Sequence, residues 1–349
     1  MKNKDIAPKA AVVIVNWNGI EYLPDCLSTV FNQTCENYDV ILVDNGSKDG
    51  SVELAQENFP RLKAIKNKDN LGFAAGNNIG IKEALGNGAD YVALLNYDTS
   101  VEKDWLEELV KTAESDQKIG ICQSKILLFD KQDVLNTAGN EIQFLGFGYC
   151  GHYMEEDKPE FDEQRDIPYG SGASILVKRE LFEKVGMFDE DLFMYHEDLD
   201  LGWEARLRGF RVVFAPKSKM YHKYSFEKSK QKYYLMERNR FIILLKNYRL
   251  KTLFLILPAL LFMESGLWFY SLLGGWFFLK IRGYGYLIGN FGRIMQKRKV
   301  TQRQRTVNDS EIVKLFASRI QFSDISNPIL DRLVNPCLSL YWRMIRPLI

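Results

Sequence analysis

The sequence predicts an α/β fold built on a mostly parallel central sheet, and three observations carry that prediction. Short apolar runs alternate with stretches of helical periodicity through the N-terminal part of the chain. These runs end in polar or glycine-bearing turns, as at Asn16, Asp44 and Asn96. Strand, loop and helix then repeat in the same order, the pattern of a sheet covered on both faces.

Residues 11–15 read as a buried strand, closed by Asn16, Asn18 and Gly19. Leu23, Leu27, Val30 and Phe31 follow at helical spacing, with Pro24 tolerated in the first turn. A second strand over 40–43 runs into Asp44-Asn45-Gly46-Ser47-Lys48-Asp49-Gly50, and a helix follows over 51–58. Residues 62–65, 76–84 and 91–95 read as strand, helix and strand. In such sheets ligands collect outside the carboxyl ends of the strands, so Asn16, Asp44 and Asp98 are expected in one cleft. Residues 127–166, rich in glycine, aromatic and acidic side chains, read as an irregular acceptor-side segment. The chain is expected back in the sheet at 174–177, with Phe182, Val185, Met187 and Phe188 as core. A strand at 212–214 precedes His222, which is expected on a short loop beyond it.

The chemistry concentrates in a few polar positions. Asp44 suits either a turn or helix-cap role or contact with a ligand, and Ser51 stands at a helix start whose free N–H groups can receive an anion. Asn70 and Gly72 open a glycine-rich loop that matches neither the dinucleotide fingerprint nor a P-loop, and its place in the same cleft suggests a nucleotide-sugar pocket. Asn96-Tyr97-Asp98-Thr99 ends an apolar strand. One carboxylate, Asp98, can hold Mg²⁺ or Mn²⁺ when water and substrate phosphates complete the shell. His222 is either structural or the partner that completes this site.

The run Tyr195-His196-Glu197-Asp198-Leu199-Asp200 stands at the start of a helix, and Asp198 is the candidate base for an acceptor hydroxyl. Glu197 and Asp200 are expected to raise its pKa by like charge, while a nearby cation would oppose them. Leu199, Trp203 and Leu207 share one helical face, and Asp200, Glu204 and Arg208 another. Glu197 and Trp203 are taken as acceptor-side residues and Arg206 and Arg208 as candidates for a phosphate contact, with solvated helix charge as the alternative for both arginines.

At these residues the first 245 or so positions resemble an inverting family 2 glycosyltransferase of GT-A fold, in its rhamnosyltransferase-like branch. The resemblance rests on Val13-Ile14-Val15-Asn16-Trp17-Asn18, Asp44-Asn45-Gly46-Ser47, residues 70–78, 94–99, Gly172-Ala173, Phe188-Asp189-Glu190 and 195–201, with 234–248 similar to the region after the base. It implies that Asp44 recognises the nucleotide base, that Asp98 binds the cation bridging the donor diphosphate, that Asp198 is the general base, and that His222 contacts metal or diphosphate. The family's metal motif commonly begins with a second acid, where this chain has Asn96.

With 46 basic against 45 acidic residues there is no bulk charge for nucleic acid, and no base-reading module is visible. Five cysteines without close spacing exclude a disulfide framework or zinc knuckle, and the N-terminus shows no secretory leader pattern. A catalytic domain over 1–245 is expected to precede a membrane-associated region over 246–349. Residues 250–279 are almost continuously apolar; one helix of that length would measure about 45 Å against a hydrocarbon core of about 30 Å. Glu264 near its middle would be costly in lipid. Lys246, Arg249 and Lys251 before it, and Lys280 and Arg282 after it, favour both flanks on the cytosolic side, as in a hairpin or interfacial helix pair; a buried soluble hairpin is the alternative. Arg293, Lys297, Arg298, Lys299, Arg303 and Arg305 suit anionic lipid or a lipid diphosphate, and 327–349 suits docking on the membrane or on another subunit. The expected partners are a nucleotide-sugar donor, a lipid-linked or glycan acceptor and membrane lipids, with oligomerisation open and the catalytic part at the cytoplasmic side of the cell membrane.

Overall fold

The structure, a computed structural model, describes residues 8–224, 229–321 and 326–349. Strands β1 (Ala10–Asn16), β2 (Tyr38–Asp44), β3 (Lys63–Lys66) and β4 (Tyr91–Asn96) run parallel in the order β4-β1-β2-β3. Helices α1 (Leu23–Val30), α2 (Ser51–Asn58) and α3 (Gly72–Gly86) make the crossovers. Strand β1 is apolar at successive positions because both faces are covered: Val12 and Ile14 meet α1, whereas Ala11 and Val13 lie in the core under α3. Pairing of Asn16 with Asp44, and of Val15 with Asn96, brings three polar strand ends to one level.

Beyond β4 come β5 (Thr99–Val101), α4 (Trp105–Glu114) and β6 (Ile119–Leu128). The segment expected to be irregular is partly regular: β7 (Lys131–Thr137) pairs with β6, β8 (Asn140–Ile142) pairs with β9 (Gly148–Cys150), and β10 (Arg165–Asp166) joins the main sheet. Strands as short as β8 and β9 carry too few alternations for a period-2 signal. Strand β11 (Ser174–Lys178) enters antiparallel between β4 and β6, followed by α5 (Arg179–Lys184) and α6 (Glu197–Leu207). The last strand, β12 (Arg211–His222), runs through to His222, which therefore ends a strand and does not sit on a loop. A register shift between Ala215 and Lys219 accommodates Pro216, the residue that breaks the strand pattern in the sequence.

Among the described residues six α-helices follow: α7 (Lys230–Asn247), α8 (Leu250–Leu273), α9 (Phe277–Gly289), α10 (Phe291–Gln304), α11 (Asp309–Ile312) and α12 (Asn335–Ile345). Leu199, Trp203 and Leu207 of α6 share one core with Ile243 of α7, Ile256 of α8, Ile294 of α10 and Trp342 of α12, so residues on both sides of position 245 pack together. The long apolar stretch is two helices, broken at Gly274-Gly275, where Gly275 takes φ +67°. Glu264 is not presented to lipid. It meets Arg240 of α7, Lys280 of α9 at 2.9 Å and the Tyr284 hydroxyl at 2.5 Å, while Glu237 accepts from both cations. Among the described residues α8 is the one helix long and apolar enough to cross a membrane. One face is packed on the protein, whereas Leu250, Phe254, Leu257, Leu261, Trp268 and Leu272 recur along an exposed face. The C-terminal segment docks on its own chain: Trp342 stacks on Phe144 at 4.5 Å and the Tyr341 hydroxyl donates to Leu255 O.

Candidate active site

The cleft opens at the carboxyl ends of β1, β2 and β4. Asn16 is fully buried, and its Nδ2 donates to Asp44 Oδ1 at 3.0 Å, Ser51 Oγ at 2.9 Å and Ser47 Oγ at 3.1 Å. Asp44 also accepts from the Ser47 backbone N–H and hydroxyl. Asp44 thus closes a turn, the structural role open in the sequence, while the register of β1 and β2 holds it at the cleft. Asn45 Nδ2 donates to Gly72 O, and Asn70 Oδ1 caps the Gly72 N–H at 2.9 Å, tying the first loop to the start of α3. These bonds begin α3 at Gly72, ahead of the expected position 76.

At the β4 end, Asp98 faces His222, with Oδ1 to Nε2 at 3.4 Å. Antiparallel pairing of Thr99 with His222 fixes this approach, and the Lys223 N–H donates to Asp98 O. His222 Nδ1 lies 3.1 Å from Asn136 Oδ1; with the proton on Nδ1, Nε2 presents its lone pair to the carboxylate. Asp98 Oδ1 is buried and receives no hydrogen bond. Two electron-rich atoms at that separation suit a cation between or beside them. Among the described residues no cluster of three or more His, Cys, Asp or Glu side chains surrounds a metal position. A divalent ion here would take Asp98 and His222 and complete its shell from water and phosphate oxygens.

Asp198 sits in the first turn of α6. Its Oδ2 accepts from the Gly172 N–H at 2.9 Å and its Oδ1 from the Leu199 N–H at 2.7 Å. The next residue, Ala173, accepts from the Asn96 N–H at 3.0 Å, so a two-residue bridge fixes the carboxylate against the β4 end. Burial pushes the Asp198 carboxyl up to about 6, with the two N–H donors opposing. Like charge from Asp200 is not the cause, because Asp200 is bound by Lys246 and by Asn247 Nδ2. Glu197 is buried, and burial first and Asp198 second raise its pKa well above the usual carboxylate range. His196 is buried as well, and burial lowers its pKa to about 4, leaving it neutral.

The approach to Asp198 is strained: Phe193, Tyr195 and His196 all take φ between +64° and +69°. Non-glycine residues there cost about 1 to 3 kcal/mol each and persist only when the surroundings impose them. Asn239 of α7, fully buried, imposes them through one amide that donates to Leu192 O, Met194 O and Tyr195 O at 2.7 to 3.0 Å. Arg238 holds Asp191 O, Leu192 O and the Asn239 side-chain oxygen. From the other side the Ala74 N–H donates to Phe193 O, and a Cβ at Gly72 would lie 2.6 Å from that oxygen. The Asn70–Gly72 loop and the segment bearing Asp198 are therefore in contact.

Two expected residues stand outside this arrangement. Arg206 is committed to Ile167 O, Val212 O and Asp166, which makes it a brace between α6 and β12 and not a donor contact. Trp203 is fully buried, edge-on to Tyr248 at 4.7 Å and Phe316 at 4.8 Å, so it serves the core and does not face an acceptor. Asn136, Arg238 and Asn239 were missed as site residues. The signal for the last two was Arg238-Asn239-Arg240, three polar residues inside an otherwise helical run.

The family model described as Glycosyl transferase family 2 matches residues 11–186, half of the chain. Poly-beta-1,6-N-acetyl-D-glucosamine synthase of Staphylococcus aureus is 27% identical over 217 residues, covering 61% of this chain and 50% of that protein. The chain thus spans about half the length of that relative. N-acetylglucosaminyl-diphospho-decaprenol L-rhamnosyltransferase of Mycobacterium tuberculosis is 27% identical over 239 residues, covering 62% of this chain and 76% of that protein. Among solved structures, GalNAc-T7 with UDP, GalNAc and Mn²⁺ superposes with a TM-score of 0.60 at 17% identity, over 74% of this chain and 51% of that one. Residues 1–349 of S. aureus TarS superpose with a TM-score of 0.52 at 16% identity, over 97% of this chain and 90% of that one. The shared architecture is the GT-A fold with its mixed, mostly parallel sheet.

Proposed function

The chain belongs to glycosyl transferase family 2, and on that premise we propose that it moves a sugar from a nucleoside-diphosphate donor to a hydroxyl of a lipid-linked or membrane-borne glycan, with inversion. The observation that carries this reading is the placement of Asp198, held by the Gly172 N–H and bridged through Ala173 to the strand end that leads to Asp98. Asp198 takes the proton of the acceptor hydroxyl as its oxygen bonds to the anomeric carbon. The bond from that carbon to the diphosphate breaks, and the nucleoside diphosphate leaves with the electron pair; no covalent sugar–enzyme intermediate is required. A carboxyl at about 6 is ionised at neutral pH yet basic enough to accept this proton. Asp44 and Asn16 hold the nucleotide end, and Gly72 and Asn70 shape the pocket wall that touches the base-bearing segment. Asp98 and His222 would hold Mg²⁺ or Mn²⁺, which would supply positive charge to offset the negative charge growing on the leaving diphosphate.

The sugar is a hexose, with a deoxyhexose such as rhamnose favoured by the mycobacterial relative, whose name states rhamnosyl transfer to N-acetylglucosaminyl-diphospho-decaprenol. N-acetylhexosamine transfer is the alternative that the staphylococcal relative favours. The two parts divide the labour: residues 1–245 carry the chemistry, and 246–349 rest the protein on the cytoplasmic face of the cell membrane through the exposed apolar face of α8. The test offers detergent-purified protein a panel of nucleotide sugars with Mg²⁺ or Mn²⁺ and a membrane-lipid extract. Nucleoside diphosphate release and product mass are read. Acceptor-dependent turnover of one donor is expected; donor binding without turnover across the panel would instead indicate a sugar-binding scaffold.

A further inference from the structure

The basic segment of α10 does not act as one undivided patch. Lys297 bridges Asp189 and Asp191, Arg293 reaches Asp191 at 2.6 Å, and Arg305 is spent on Asp309, Asn247 O and Val307 O. Three cations remain around one cavity of about 450 Å³, lined by Arg249, Leu250, Met295, Arg298, Lys299, Gln302 and Arg305. Among the described residues neither the Arg249 guanidinium nor the Lys299 ammonium meets a protein acceptor. Arg298 uses only Nη1, on Leu245 O and Tyr248 O, leaving Nε and Nη2. The Asp309 carboxylate is taken by Arg305, the Arg249 N–H and the Thr252 hydroxyl. The cavity therefore carries positive charge that the protein does not neutralise.

One wall gives the cavity a direction. Leu250 lines it and is 62% exposed, and it begins the apolar face that continues through Phe254 and Leu261 along α8. A polar anion site opening onto an apolar helix face fits a ligand with a phosphate head and a hydrocarbon tail. We propose that the cavity between Arg249 at the start of α8 and Arg298-Lys299 of α10 binds the phosphate or diphosphate head of a membrane lipid, with the acyl or prenyl chain lying along α8. The site rests on the membrane-docking part of the proposed function and is independent of sugar transfer.

The experiment measures co-sedimentation of the full chain with vesicles of phosphatidylcholine alone and of phosphatidylcholine containing phosphatidic acid, without donor. Inorganic diphosphate is added as a soluble competitor. Two variants with equal charge loss are compared: Arg249→Ala with Lys299→Ala inside the cavity, and Lys251→Ala with Arg303→Ala on exposed positions outside the set that lines it. Each cation near an anionic surface contributes about a fivefold change in binding, so the cavity variant is expected to lose at least about tenfold of the phosphatidate-dependent affinity. The outside variant is expected to lose distinctly less, and inorganic diphosphate to displace the wild-type protein from phosphatidate. Equal losses in both variants, or no displacement by diphosphate, would overturn the cavity. Binding to neutral vesicles that persists without any phosphatidate preference would sink the cavity alone; loss of all vesicle binding would sink the membrane reading with it.

Discussion

Replacing Asp198 by asparagine separates catalysis from folding. Burial has moved this carboxyl from an ordinary value near 3.8 to about 6. At about 1.4 kcal/mol per pH unit, the ionised side chain costs the folded state about 3 kcal/mol above pH 6. The sign follows from the direction of the shift. With the folded value above the unfolded one, the contribution of this group is most favourable below pH 3.8 and is lost as pH rises to about 6. Asparagine mimics the protonated form and keeps one of the two hydrogen bonds, so Asp198→Asn is expected to be more stable at pH 7.5 by up to about 3 kcal/mol. The same variant is expected to lose transfer by at least about a hundredfold, the scale of a missing general base. Wild-type kcat/KM should rise roughly tenfold between pH 5 and pH 7, following ionisation of a group near 6. Chemical denaturation and donor turnover on the same preparations give both numbers. Near-normal transfer by the variant, or loss of stability together with transfer, would refute the assignment of Asp198 as a base held at the expense of stability.

Asp98→Asn should weaken donor binding at least about tenfold in the presence of Mn²⁺, and a chelator that weakens wild-type binding should then have little further effect; isothermal titration reads both. Asn239→Ala removes the donor from three carbonyls of the strained segment, and kcat should fall while KM for the donor changes little, because Asp44 and Asp98 are untouched. Glu264→Ala leaves Arg240 and Lys280 sharing Glu237 alone, and the fold should lose about 3 to 5 kcal/mol in denaturant titration. Gly72→Ala places a Cβ 2.6 Å from Phe193 O at φ +84°, and both donor binding and turnover should suffer.

Some of this was written in local pattern and some was not. Strands β1, β2 and β4 were legible because both faces are buried and their runs end in polar residues, and α2 spans the expected 51–58 after its glycine-bearing loop. Asp44 and Asp98 stood out because each follows an apolar strand directly, and Asp198 because it stands in an acidic run at a helix start. His222 was misplaced onto a loop because Pro216 hides a bulge inside one strand, and only the pairing of that strand with β5 shows why the histidine meets Asp98. Trp203 and Arg206 were misassigned because one helical face does not reveal what it packs against; the partners Tyr248, Phe316 and Ile167 O lie far away in sequence. The same distance concealed Asn239, whose three carbonyl partners come from another element altogether. Glu264 signalled that the apolar stretch was no simple span, but its partners Arg240 and Lys280 could be found only once α7, α8 and α9 were packed together.

The central claim is a single displacement assisted by Asp198, and the configuration of the product tests it most directly. Proton NMR of the newly formed glycosidic bond, compared with the donor's anomeric centre, is expected to show the opposite configuration, with no transfer by Asp198→Asn. A product that keeps the donor's configuration, or one formed equally well by that variant, would contradict the account.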